Sequence, residues 1–204
     1  MKRIDLKVTV IMPMKNAENY VADAIASILK QSFENFELIV VDDGSTDASR
    51  QIAESFQDER VKVINGPKTG AADAFNAALN IASGEYIANC DADDLYPEDR
   101  LSWQVAYLEE NNECDAVCGT YTAMDSNAVV VSQFNCGESS ENISNELLTG
   151  KTRTSFCTFL TRRDVLIEVG GYRGFFVTSY DIDLQLRLGE SREVRYVPKN
   201  TYFY

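Results

Sequence analysis

The chain reads as an α/β protein built on a mostly parallel sheet. Three observations predict this. Short apolar runs alternate with amphipathic helical stretches through the first half. Two of those runs, ending at Val41 and Cys90, pass straight into clustered aspartates. The length of 204 residues is enough for one large domain, which at this size buries about 70% of its unfolded surface and needs no covalent or metal staples.

The elements follow in order. Val8 to Met12 is a first strand, stopped by Pro13. Asn16 and Asn19 offer helix starts, and Val21, Ile25, Ile28 and Leu29 recur at helical spacing. Phe36 to Val41 is a second strand, running into Asp42-Asp43-Gly44-Ser45-Thr46-Asp47. Ile52 and Phe56 mark the core face of the next helix. Val61 to Ile64 is a third strand, and Gly66-Pro67-Lys68-Thr69-Gly70 breaks the chain. Ala71 to Ala82 is an alanine-rich helix that packs closely on a sheet, and Gly84 stops it. Tyr86 to Cys90 is a buried fourth strand. Pro97 opens a helix, where its missing N–H costs little, and Leu101, Val105 and Leu108 form one face. This β-α-β-α-β-α-β-α order implies a Rossmann-like sheet with right-handed crossovers.

The second half is less regular. Ala116 to Ala123 and Val129 to Phe134 read as strands joined by Met124-Asp125-Ser126-Asn127. Gly137 to Asn142 reads as a loop and Phe156 to Leu160 as an apolar run. Asp164 to Val169 is a short helix ended by Gly170-Gly171. An aromatic-rich loop spans Tyr172 to Tyr180, Asp181 to Leu188 is helical, and Tyr196-Val197-Pro198 is a final edge strand. No internal repeat or interdomain linker is visible, so 1–204 is expected to be a single domain.

Composition narrows the partners. A formal net charge of -13 argues against nucleic acid and anionic membrane as primary partners. There is no histidine, and the five cysteines, Cys90, Cys114, Cys118, Cys136 and Cys157, read as reduced thiols of a cytosolic protein. The charged start Met1-Lys2-Arg3-Ile4-Asp5 is not a signal peptide, and no run reaches the ~18 apolar residues that span a bilayer.

The chemistry lies in Asp91, Asp93 and Asp94. Carboxylates this close repel, and crowding raises the pKa of at least one. A hard divalent cation, Mg²⁺ or Mn²⁺, relieves the conflict and commonly shares itself between one or two carboxylates and substrate phosphates. Open α/β sheets bind ligands outside the carboxyl ends of their strands, which is where this acid falls. The plainer alternative is a solvated turn capping the next helix. Asp181 and Asp183 have a similar alternative as helix-terminal charges.

Four segments carry a family resemblance: V-I-M-P-M-K-N; F-E-L-I-V-V-D-D-G-S-T-D; G-E-Y-I-A-N-C-D-A-D-D-L-Y-P-E-D-R-L; and V-G-G-Y with S-Y-D-I-D-L-Q-L-R-L. In this order the chain resembles the GT-A fold nucleotide-sugar glycosyltransferases, specifically the inverting enzymes of family 2. The resemblance implies a nucleotide-binding half over 1–112 and a small mixed acceptor-side half over 113–204. It implies that Pro13, Asn16, Asp42, Asp43, Gly70, Asp91, Ala92 and Asp93 line the nucleotide-sugar site. Asp43 would meet the uracil edge, Asp93 with Asp91 would hold Mn²⁺ or Mg²⁺, and Asp181 would be the catalytic base. Tyr172 and Tyr180 are the candidates for the acceptor side.

The chemistry is consistent with those roles. An ionised carboxylate accepts the uracil N–H and donates nothing. A carboxylate within reach can take the acceptor hydroxyl's proton as it attacks the anomeric carbon, and one displacement inverts that carbon. The implied activity transfers sugar from a nucleotide-diphosphate donor, a UDP-sugar by resemblance, to a hydroxyl acceptor in surface polysaccharide or glycoconjugate assembly. The expected location is cytoplasmic, with peripheral association at the inner face of the plasma membrane, and oligomeric state is open.

Departures from the family pattern are Tyr180 where glutamate is usual, Lys15 where an aromatic is common and Phe75 where arginine is frequent. The Q-x-x-R-W motif of processive synthases is missing. The stop at Tyr204 fits a minimal catalytic domain or part of a longer chain. Competing classes are a non-catalytic nucleotide-sugar or carbohydrate-binding relative and a sugar nucleotidyltransferase, which needs a Gly-rich basic loop where P-M-K-N-A-E-N stands. Phospho-receiver domains are shorter, and a NAD-binding enzyme lacks its G-x-G-x-x-G here.

Overall fold

The computed structural model describes residues 7–125, 129–134, 137–150 and 153–204. The charged N-terminal stretch up to Asp5, the Ser126-Asn127 part of the expected turn and Cys136 lie outside them.

Strands β1 (Val8–Met14), β2 (Phe36–Asp42), β3 (Val61–Asn65) and β4 (Tyr86–Asn89) alternate with helices α1 (Val21–Leu29), α2 (Ser49–Glu54), α3 (Ala71–Leu79) and α4 (Arg100–Glu110). The second half supplies β5 (Ala116–Met124), β6 (Val130–Phe134), β7 (Glu141–Asn142), α5 (Ser144–Leu147) and a 3₁₀ turn at Phe156–Thr158. Then come β8 (Leu160–Arg162), α6 (Arg163–Glu168), α7 (Tyr180–Ser191) and β9 (Val194–Phe203).

The sheet order is β3-β2-β1-β4-β8-β5-β9-β7, with β6 paired on β5. β3, β2, β1 and β4 are mutually parallel, and β8 is antiparallel to both β4 and β5. β1 lies between β2 and β4, so strand order reverses there, and the carboxyl ends of these three strands share one rim. That reversal is where open α/β sheets form a binding crevice.

Alternation along β1 explains the two core layers. Val8, Val10 and Met12 pack with Ile25, Ile28, Leu101 and Leu108 on one face. Ile11 packs with Phe75, Leu166, Leu184 and Leu188 on the other. Trp103 lies against the first layer.

Several expectations are corrected. Pro13 does not stop β1, which runs to Met14; pairing with β4 has already ended at Ile11↔Asn89, so Pro13 lies where β1 has lost one neighbour. Asn16 and Asn19 do not start α1, which begins at Val21; Asn16 instead takes a left-handed φ of 53°. Regular helix after Pro97 begins only at Arg100, whose N–H closes a turn on the Pro97 carbonyl at 3.1 Å. The Tyr196-Val197-Pro198 strand is longer and is not an edge: β9 is held between β5 and β7. Pro198 is tolerated because the β5–β9 register shifts between Cys118 and Thr120. The expected Gly137–Asn142 loop contains β7, and the Phe156–Leu160 run divides into the 3₁₀ turn and β8.

Candidate active site

The β1 and β2 ends are tied by side chains acting as splints. Asn16 Oδ1 accepts the Thr46 N–H at 2.8 Å, and the Asn16 N–H donates to Ser45 Oγ at 3.1 Å. Asn is among the few residues that hold a left-handed backbone readily. Asp42 is buried and its Oδ1 accepts the Ser45 N–H at 2.9 Å, with Arg50 3.6 Å from its other oxygen. Asp43 is only 3% exposed. Its two oxygens accept the N–H groups of Lys68 at 2.6 Å and Gly70 at 2.9 Å, so it anchors the loop between β3 and α3. Gly70 has φ 118°, a conformation that L side chains rarely adopt, and it presents its N–H to Asp43 from there.

The end of β4 carries the densest charge. Ala92 packs into the first core layer while Asp93 is exposed and Asp94 is buried. Burial pushes Asp94 up to about 8, with the charges of Asp91 and Asp93 adding to it. Asp91 is also raised, chiefly by burial; the Cys157 thiol opposes the rise, while the charges of Asp93 and Asp181 reinforce it. The thiol donates to Asp91 Oδ2 at 2.6 Å. The backbone of Asp91 is held by Tyr96, whose hydroxyl accepts the Asp91 N–H at 2.6 Å.

Asp181 reaches this group from the other half of the chain. It lies in the first turn of α7, after Ser179 at φ 62°, and its charge acts on Asp91 and on Tyr180. Tyr180 is half-buried, and its phenol is raised by burial and then by Asp91, Cys157 and Asp181. Asp183, by contrast, is held by Arg187 at 2.6 Å and Arg173 at 3.1 Å and serves its own helix.

Tyr172 is placed differently from the acceptor-side expectation. It is 3% exposed. Its ring stacks on Phe75 at 4.7 Å, and its hydroxyl donates to Asn89 Oδ1 at 2.8 Å. Asn76 brackets the Tyr172 backbone, accepting its N–H at 2.9 Å and donating to its carbonyl at 2.7 Å. Tyr172 therefore supports the rim from beneath and offers no face to a sugar ring.

Sequence reasoning passed over Asn76, Tyr96, Arg100 and Cys157. Tyr96 and Arg100 carried a signal, since both lie in the quoted L-Y-P-E-D-R-L stretch.

A cavity of about 420 Å³ adjoins Asp93, walled by Tyr20, Leu95, Met124, Phe203 and Tyr204 with Asp23 and Asp125. Among the described residues no cluster of three or more His, Cys, Asp or Glu side chains forms a ready-made cage. Asp91 and Asp93 are instead a pair of oxygen donors, the kind of set to which Mg²⁺ or Mn²⁺ adds phosphate oxygens. The mutual repulsion that adds to the burial-driven rise of Asp91 and Asp94 is the conflict such an ion removes.

A reversed parallel sheet with acid converging at its carboxyl rim defines a GT-A type protein. In keeping with this, the S. aureus TarS 1-349 structure in complex with UDP superposes with a TM-score of 0.82 at 24% identity, covering 97% of this chain and 60% of that one. The mannosyltransferase PcManGT from Pyrobaculum calidifontis in complex with GDP-Man and Mn2+ gives 0.72 at 22% identity, covering 97% and 56%.

The chain belongs to glycosyl transferase family 2, whose family model matches residues 9–175. It is similar to the UDP-Glc:alpha-D-GlcNAc-diphosphoundecaprenol beta-1,3-glucosyltransferase WfgD of Escherichia coli, 39% identical over 127 residues, 62% of this chain and 50% of that protein. It is also similar to the glycosyltransferase GlyG of Streptococcus pneumoniae serotype 4, 39% identical over 121 residues, 58% of this chain and 40% of that protein. The chain thus spans about half the length of these relatives.

Proposed function

We propose that this chain is the catalytic part of an inverting, metal-dependent glycosyltransferase. It moves a sugar from a nucleotide-diphosphate donor, a UDP-sugar, to a hydroxyl acceptor in surface polysaccharide or glycoconjugate assembly. The observation that carries the reading is the electrostatic convergence of Asp181, from α7, and Asp93 on Asp91 at the end of β4. Helix capping does not account for that convergence, because Asp181 belongs to a different half of the chain.

In this reading residues 1–112 bind the nucleotide and 113–204 face the acceptor. Asp43 accepts the base N–H through lone pairs left free by its two loop contacts, with Asp42 beside it. Pro13, Asn16, Gly70 and Ala92 line the nucleotide through the turns that the splints fix. Asp91 and Asp93 would hold the divalent ion, which when bound offsets the charge that grows on the departing diphosphate. Asp181 takes the acceptor hydroxyl's proton, a step typically worth about 10²–10⁴-fold in rate. Tyr180 borders that step. Use of a lipid-linked acceptor, as WfgD's name states for that protein, would place the chain at a membrane face. Among the described residues no helix is long and apolar enough to cross one.

The test is a thermal-shift screen of UDP, GDP and dTDP sugars with and without Mn²⁺, followed by turnover assays. The expected result is metal-dependent stabilisation by UDP, and transfer or hydrolysis that Asp181→Asn abolishes without weakening UDP binding. Failure of every nucleotide diphosphate to stabilise the protein with metal rejects the donor site. Tight UDP binding without turnover on a broad donor and acceptor panel favours a binding relative.

A further inference from the structure

Beneath the acidic rim lies a buried cation that none of these roles uses. Arg100 is 0% exposed and is the first residue of α4. Its Nε donates to Gln104 Oε1 at 3.1 Å and its Nη1 to Cys90 Sγ at 3.4 Å. Its Nη2 donates to the carbonyls of Asn89 at 3.1 Å, Cys157 at 2.7 Å and Phe159 at 3.3 Å. All these partners are neutral. A guanidinium sealed in a core, with no ion-pair partner among the described residues, is costly unless other charge offsets it. The compensating charge lies one layer up, at Asp91, on which Arg100 acts through space.

The contacts are also mechanically specific. Asn89 ends β4, Cys157 donates its thiol to Asp91, and Phe159 leads into β8. Arg100 therefore fastens β4 to the segment that supplies the Asp91 thiol partner. Its Cζ lies 5.0 Å from the ring centre of Tyr96, the residue whose hydroxyl takes the Asp91 N–H. Gln104 extends the clamp to the carbonyls of Val117 at 3.3 Å and Thr158 at 2.8 Å.

We propose that Arg100 is a positioning residue: its planar fork, relayed through Tyr96, sets the backbone of residues 90–94 and supplies the interior counter-charge that lets several carboxylates share one rim. The link to donor binding rests on the glycosyltransferase reading; the setting of the backbone does not. Lysine keeps the charge but cannot reach carbonyls on two segments and a ring face at once.

The test compares the wild-type chain with Arg100→Lys and Tyr96→Phe, the second keeping the buried charge and removing only the hydroxyl. Hydrogen exchange of the ligand-free protein is followed across 90–95, and the Kd for UDP with Mn²⁺ is measured on the same folded samples. Exchange in 90–95 is expected to rise by about tenfold in both variants, with β2 and α3 unchanged. The Kd is expected to rise severalfold. Unchanged exchange across 90–95 in folded Tyr96→Phe overturns the proposal, as does faster exchange with an unaltered Kd. A uniform rise over the whole chain also overturns it, since that reports general destabilisation. If the wild type binds no nucleotide, the donor-site reading fails, and the exchange arm alone still decides whether Arg100 and Tyr96 set the rim backbone.

Discussion

Asp43 is an anchor in the structure and, in the proposed function, also the reader of the base. Both its oxygens are committed to N–H groups of the loop before α3. Asparagine would turn an NH₂ towards one of those donors, leaving a nearly buried N–H unsatisfied. Asp43→Asn is therefore expected to cost about 1–3 kcal/mol in urea unfolding and to weaken UDP binding as well. Asp94 gives a pH signature. Its folded carboxyl is raised to about 8 by burial and by Asp91 and Asp93. A raised acid binds its proton more tightly folded than unfolded, so its contribution favours the folded state below its unfolded pKa near ~4. That contribution fades as pH rises towards about 8. The ligand-free protein should thus lose thermal stability between pH 5 and 8, and Asp94→Asn should flatten the curve. A variant as steep as wild type would show that general charge repulsion, not Asp94, sets the slope.

At the scale of elements, helical and strand periodicities made β1 to α4 legible, because each is specified by its own local pattern. The second half resisted for a physical reason. β8 has three residues and β7 two, and both are strands only through partners distant in the chain. No two- or three-residue segment carries a period. The acidic rim was legible because clustered charge stands out in any context. Tyr172 was misread because an aromatic just before an acidic helix start has the same sequence signature whether it stacks on ligand or core. Arg100 was passed over because arginine in a first helical turn is ordinarily solvated.

Gly84 illustrates an element constraint. A Cβ there would collide with the backbone of Val8 and Thr9, so the chain entering β4 rests directly on β1. Backbone cannot yield as a side-chain tip can. Gly84→Ala is expected to lower stability by about 1–3 kcal/mol, measured by urea melts. A loss within the error of the melts would mean that the β1–β4 approach is looser than the structure has it.

Over the whole molecule, two apolar layers enclose the sheet, and the cysteines report on both. Cys90, Cys114, Cys118 and Cys157 are buried thiols. Burial raises Cys90 to about 11 and Cys114 to about 12, so neither offers thiolate at neutral pH. In a Cys136→Ser background, an aromatic disulfide reagent should label none of the four until denaturant unfolds the chain. They should then react together, in step with loss of circular dichroism. Early labelling of Cys90 or Cys157 alone would reveal a rim that opens independently of the rest.

Leu95 and Phe203 exchange a reciprocal pair of backbone hydrogen bonds, at 3.0 and 2.8 Å. Sequence neighbours of Asp91 and Asp93 are thereby hitched to the last strand, β9. Residue 204 becomes a natural listening post: an environment-sensitive dye on a Tyr204→Cys variant would sense the pocket filling, although it sits more than a hundred positions downstream of the residues that do the binding.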